Sequence, residues 1–168
     1  TPKQMLIYKA LEWTIPKFGH LPLILGSDGK RLSKRHGAKG TSEYKDLGYL
    51  PDTLINYLAL LGWNPGNDDE IFDFNYLKEN FSLDKVNKKS AVFDNTKLEW
   101  VSSQNIFKIS AAKLVDIASK FDPTWCGEGH SLEYLVKVIE LIKDRIKTLS
   151  DIKENAFYFF NHPIEYDE

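Results

Sequence analysis

Lys30-Arg31-Leu32-Ser33-Lys34-Arg35-His36-Gly37 is the stretch around which this 168-residue chain is read, because only here do the residue types look selected for chemistry. Lys30, Arg31, Lys34, Arg35 and Lys39 have a single carboxylate near them, Asp28, in a chain whose formal net charge is −2. The positive charge is therefore focused, not general. Glycines bracket the cluster, Gly26 and Gly29 before it and Gly37 and Gly40 after it, so the run reads as a loop. The hydroxyl of Ser33 and the long cations Lys34 and Arg35 suit a phosphate, since ammonium and guanidinium groups stabilise charge that spreads over phosphate oxygens as a bond breaks. A solvated basic loop is the ordinary alternative, and charge alone does not separate the two. A Walker A loop is excluded: Ile24 stands where its first glycine belongs, and Arg31 takes the place of the magnesium-binding Ser or Thr.

Outward from the cluster, the run from Gly19 to Tyr49, GHLPLILGSDGKRLSKRHGAKGTSEYKDLGY, resembles the segment of bacterial-type glutamyl-tRNA synthetases that carries the class I KMSKS signature, usually K-[LIM]-S-K-R in that family. Arg31-Leu32-Ser33-Lys34-Arg35 is the matching pentapeptide, with Arg31 in place of the first lysine. Thr1-Pro2-Lys3-Gln4, Gly48-Tyr49-Leu50-Pro51, Asn56-Tyr57-Leu58, Leu61-Gly62-Trp63, and Phe93-Asp94 with Lys97-Leu98-Glu99-Trp100 fall in the family's order and at about its spacing. A basic pentapeptide alone is weak evidence. The ordered set carries the resemblance over nearly the whole chain, strongly to about residue 107 and weakly beyond.

The resemblance implies a mainly α fold with an α+β remnant. Residues 1–37 would end a Rossmann-like catalytic domain with its KMSKS-type loop, residues 38–110 form a helical stem-contact domain, and residues 111–168 begin a helical anticodon-binding domain. It also implies a glutamate–tRNA ligase: ATP and L-glutamate give glutamyl-adenylate and pyrophosphate, and the acyl group passes to tRNA(Glu), with Mg2+ accompanying ATP. In those terms Lys34 holds the leaving phosphates, Arg31 and Arg35 support it, and Ser33 keeps the loop's shape. The backbone of Leu23 and Ile24 lies against the adenine. Lys97 and Trp100 face the tRNA backbone, and Arg145 reads the last anticodon base with a planar fork that lysine lacks.

Plainer readings stand beside these: Leu23 and Ile24 as core, Lys97 as a solvent-facing cation, Trp100 as core. Two departures from the family count. Ser102 replaces the Asn common two residues after the Trp, which puts that side chain's contact in doubt. No HIGH-type tetrapeptide is present, so this piece alone is not expected to activate glutamate. A glutaminyl-type class I synthetase and a non-catalytic tRNA-binding module are the alternatives. The net charge of −2 weighs against a strong general nucleic-acid binder.

Composition sets wider bounds. With 42% hydrophobic and 13% aromatic residues the chain can build one or two real cores. No apolar run approaches the ~20 residues of a membrane span. The start Thr1-Pro2-Lys3, without a Met or a signal peptide, reads as a cut inside a longer protein. Cys126 is the single cysteine, so no intrachain disulfide and no cysteine-based zinc site can form. A cytoplasmic monomer with no membrane partner is expected.

Local signals predict the elements. Pro2 starts a first helix of about three turns that ends before Pro16. His20 to Leu25, short and apolar, reads as a buried strand or the end of one. Ser42 reads as the N-cap of a helix stopped by Gly48, and Pro51 starts another that ends at Gly62. Asn64 to Glu70 is an acidic solvated turn in preference to a metal site. A short helix follows over Phe74 to Phe81. Asp94 or Asn95 caps a helix that turns Leu98 and Val101 inward. From Ala111 the chain is helical and amphipathic, broken by the loop from Pro123 to His130, with Arg145 on or near the last long helix. His20 and His36 are read as structural, and cations beside His36 disfavour its protonation.

Overall fold

The computed structural model describes residues 1–33 and 39–161. Prolines open two of its helices: α1 is Pro2–Ala10 and α3 is Pro51–Gly62, each with proline in the first turn, where a missing N–H leaves no intrahelical bond unmade. Between them lie the strand β1 (Ile24–Leu25) and the short helix α2 (Thr41–Asp46). After α3 come α4 (Phe74–Asn80), the strand β2 (Ala91–Val92), and α5 (Asn95–Lys108). Three further helices finish the described chain: α6 (Ala111–Phe121), α7 (Leu132–Ile142) and α8 (Asp151–Phe160).

Short polar side chains hold the helix starts. Asp94 accepts from the amides of Thr96 and Lys97 at 2.8 and 3.3 Å, so of the two candidate caps for α5 the aspartate is the one used. Asp73 caps α4 through Tyr76, Ser110 caps α6 through Lys113, and Ser131 caps α7 through Tyr134. The start of α2 differs from the sequence reading. Gly40, not Ser42, is its N-cap, and the Glu43 carboxylate accepts the Gly40 amide at 2.9 Å. A glutamate three residues into the helix does the work that a capping serine was expected to do.

Helix α5 is the member that both halves of the molecule share. Its Leu98 and Val101, fully buried, pack with Tyr44 and Tyr57, while Ile106 belongs to the large core of α6, α7 and α8 built on Leu114, Ile139, Ile142 and Ile152. The amphipathic stripes of α6 and α7 turn inward against each other, as a 3.6-residue apolar period requires. A third cluster of Trp63, Phe72 and Leu77 sits under α4. Leu50 joins the core of the C-terminal helices, so α3 begins in that core and ends beside Trp63.

The buried strand expected over His20 to Leu25 is shorter and barer than its apolar sequence suggests. Only Ile24–Leu25 is a strand, and Leu21 and Leu23 are 76% and 52% exposed. Apolarity alone does not bury a segment; among the described residues the only strand that pairs with it is β2. That pairing is parallel, Ile24 with Ala91 and Leu25 with Val92, and it joins the expected 1–37 unit to the unit that follows it. Helix α1, too, buries none of its residues. No helix of the described residues is long and apolar enough to cross a membrane.

Candidate functional site

β1 leads directly into the basic stretch through a tight turn. Gly26 N–H donates to Lys30 C=O at 2.8 Å, and Gly29 N–H donates to Gly26 C=O at 3.0 Å, with Gly29 in the left-handed region at φ 72°. Asp28 finishes the turn by accepting the Lys30 amide at 3.0 Å. The chain then runs back along its own strand: Leu32 N–H donates to Ile24 C=O at 2.9 Å, and Arg31 bridges to Leu25. Arg31 is thereby carried out of the turn as an exposed cation, with Ser33 half-buried beyond it. The Lys30–Asp28 contact, 4.0 Å between exposed groups, adds little. Lys34, Arg35 and His36 lie outside the described residues.

Beside β1 is an apolar cleft of about 260 Å³, lined by Pro22, Leu23, Ile24, Leu58, Trp63 and Phe81. Leu23 and Ile24 are therefore neither plain core nor free surface. They form one wall of this cleft. Behind that wall the end of β2 is pinned: Phe93 N–H donates to Leu25 C=O at 2.8 Å. The buried Tyr57 hydroxyl donates to Asp94 C=O at 2.8 Å and accepts Asp94 N–H at 2.7 Å. Burial raises the Tyr57 pKa above its ordinary value, only partly opposed by the Asp94 backbone hydrogen bond.

The residues assigned to tRNA contact fall in two places. Lys97 and Trp100 are adjacent on α5. The Lys97 ammonium ion-pairs with Glu70 and lies 4.1 Å from the Trp100 ring centroid. Trp100 is 40% exposed, which removes the reading of it as core. An intramolecular partner thus already holds the lysine that the sequence offered to RNA. Ser102 points the opposite way, fully buried, and its hydroxyl has no hydrogen-bond partner among the described residues.

Arg145 is not on the long helix α7. It ends a 3-10 turn, Lys143–Arg145, that packs against α5, and it is exposed. The Lys97 and Arg145 regions are thus linked through one helix. Lys147, just after the turn, pairs with Glu99 of α5 at 2.7 Å. That carboxylate's hydrogen bond and charge raise the Lys147 pKa. In the acidic turn, Asn64 accepts Gly66 N–H at 2.6 Å and Asn67 accepts Asp69 N–H at 3.3 Å. Among the described residues no group of three or more His, Cys, Asp or Glu is arranged to hold a metal ion. His20 bonds to Thr1 at 2.9 Å.

Two contacts escaped the sequence reading: the pair of hydrogen bonds between Tyr57 and Asp94, and the approach of Gly48 to Leu149 and Ser150. The Asn56-Tyr57-Leu58 match marked the first position without its role. For the second, only the glycine after α2 was a signal.

The described residues thus place a basic turn directly after a parallel strand, with an apolar cleft beside that strand and a helical unit following in the chain. The profile of tRNA synthetases class I (E and Q), catalytic domain, matches residues 1–100, and that of an anticodon binding domain matches residues 111–168. The chain belongs to the class I tRNA synthetase family of the E and Q type. Among its relatives, the glutamate–tRNA ligase of Carboxydothermus hydrogenoformans is 41% identical, over all of this chain and 36% of its own length. That of Dehalococcoides mccartyi strain BAV1 is 44% identical, over 99% of this chain and 35% of its own length. A crystal structure of a glutamate tRNA ligase from Elizabethkingia meningosepticum, in complex with its amino acid, superposes with a TM-score of 0.84 at 31% identity, covering 99% of this chain and 37% of that one. The chain spans little more than a third of the length of these relatives.

Proposed function

We propose that this chain supplies the ATP-phosphate loop and the tRNA-binding helices of a glutamate–tRNA ligase. The observation that carries the reading is the match of the whole chain to ligases of that name at 41 and 44% identity, with Arg31-Leu32-Ser33-Lys34-Arg35 in its sequence. In the reaction the glutamate carboxylate attacks the α-phosphorus of ATP, pyrophosphate leaves, and the glutamyl group passes to the terminal ribose of tRNA(Glu). No nucleophile from the protein is required. The protein's task is to position the reactants and to stabilise charge that grows on the leaving phosphates.

Lys34 is the group that meets those phosphates, with Arg31 and Arg35 adding charge and Ser33 shaping the loop. Leu23 and Ile24 present their backbone to the adenine, and the adjoining apolar cleft gives a planar ring a dry surface. Mg2+ arrives as the counterion of ATP. Lys97, Trp100 and Arg145 meet tRNA, on the stem side and the anticodon side respectively. The reaction belongs to the cytoplasm, where these substrates are.

The test is a chimera in which residues 1–168 replace the matching segment of the Carboxydothermus hydrogenoformans ligase. With tRNA(Glu) present it should exchange pyrophosphate into ATP on addition of glutamate and not of glutamine. Lys34→Ala should lower that exchange by about 10²–10³, the usual cost of removing one donor from a developing anion. Full exchange in Lys34→Ala would remove the phosphate role. A folded chimera that never responds to glutamate would remove the ligase reading itself.

A further inference from the structure

The end of α2 and the turn before α8 touch more closely than any side chain at residue 48 allows. Leu149 N–H donates to Gly48 C=O at 2.9 Å, and the Ser150 hydroxyl donates to Leu47 C=O at 3.0 Å. Gly48 has φ 81°, and a Cβ built on it would lie 2.7 Å from the Ser150 nitrogen and 2.9 Å from the Leu149 nitrogen. Both obstacles are backbone, so no rotamer relieves them. The residue has two separate reasons to be glycine: the left-handed conformation and the lack of space.

The position of this contact makes it more than a packing detail. α2 is the first helix after the basic stretch, and the residues held are its C-cap Leu47 and the Gly48 that follows. On the other side, Leu149 and Ser150 follow the 3-10 turn that ends at Arg145. Two more struts cross the same seam: Lys147 to Glu99 of α5 at 2.7 Å, and the Lys143 ammonium to Ile109 C=O. Asp151 stiffens the turn by accepting the amides of Lys147 and Thr148 at 2.9 and 2.8 Å.

We propose that Gly48 and Ser150 form a clasp that sets the stance of the helical unit carrying Arg145 relative to the unit carrying the basic turn, so that one RNA can reach both at once. The proposal rests on the tRNA-binding reading above. Gly48 and Ser150 are positioning residues and touch no RNA themselves. A ligand that spans two sites gains from the second only when the spacing between them is held. Loosening the clasp therefore weakens a long RNA and spares a short one that occupies a single site.

The experiment uses the chimera described above and two RNAs: a tRNA(Glu) transcript and a hairpin of its anticodon stem and loop alone, with affinities read by fluorescence anisotropy. Gly48→Ala should weaken the transcript about tenfold and leave the hairpin within about twofold of the parent. Ser150→Ala, which deletes one hydrogen bond and adds no atom, should weaken the transcript about two- to fivefold with the hairpin again unchanged. This second variant keeps the test decisive if Gly48→Ala does not fold. Equal losses for both RNAs, or no loss for either, would overturn the clasp. A parent that binds neither RNA would remove the tRNA-binding reading, and the clasp with it.

Discussion

Tyr57→Phe removes a single oxygen and isolates the contribution of one junction. The Tyr57 hydroxyl serves both main-chain groups of Asp94, accepting its N–H at 2.7 Å and donating to its C=O at 2.8 Å. Tyr57 itself is 2% exposed, so the ring stays where it is and no cavity worth counting is opened. Two neutral hydrogen bonds are lost, each worth about 1 kcal/mol net, and the two stranded groups of Asp94 are only partly able to reach water. The expected loss is about 1.5–3 kcal/mol. For a chain of this size each kcal/mol moves Tm by about 2–4 °C, so the midpoint should fall by about 3–12 °C. Urea unfolding followed by circular dichroism gives the free energy directly. The m-value should not change, because the surface exposed on unfolding is the same. A loss below about 0.5 kcal/mol would refute the reasoning, and would mean that Asp94 finds other partners. The site has a stake in the outcome. Asp94 both caps α5 and follows β2, whose partner β1 leads into the basic turn.

Alkali should also destabilise the fold. Burial is the first cause that raises the pKa of Tyr44, Tyr49 and Tyr57, so the folded chain holds these phenol protons more tightly than the unfolded one. Their contribution is whole below the ordinary value of ~10 and is lost as pH rises through and above it. Urea unfolding between about pH 8 and pH 11 should show the decline, with a shallower slope in Tyr57→Phe; a flat profile would contradict the assignment. Thr53→Val tests the opposite sign. The Thr53 hydroxyl is fully buried with no partner among the described residues, and valine keeps its shape. Stability should stay level or rise by up to about 1 kcal/mol in thermal unfolding. A loss of more than about 1 kcal/mol would show that the hydroxyl is bonded.

Much of the site's location was legible, and less of its geometry. The glycines and cations marked the turn, and the hydrogen bonds from Gly26 to Lys30 and from Leu32 to Ile24 are what such a sequence makes locally. The helix limits at Pro51, Gly62 and Asp94 were legible for the same reason, since proline geometry and capping act within one turn of chain. α8 was missed as a separate element. Ile152 and Ala156 stand four apart behind Asp151, but the sequence before them continues an apolar pattern that disguises the 3-10 break at Lys143–Arg145. The pairing of Lys97 with Glu70 was not legible, because the two residues stand 27 positions apart.

By itself, then, the sequence determined the helical character, the position of the basic turn and the family whose ordered motifs it shares. These depend on backbone preferences and on residue order, both local quantities. The tertiary structure alone decided that Ser102 is buried, that Trp100 is at the surface, that Arg145 sits against α5, and that Gly48 has no room for a side chain. Each of those depends on which element arrives from elsewhere. Ser150 meets Leu47 across 103 positions, and no pattern within a helical turn carries that distance.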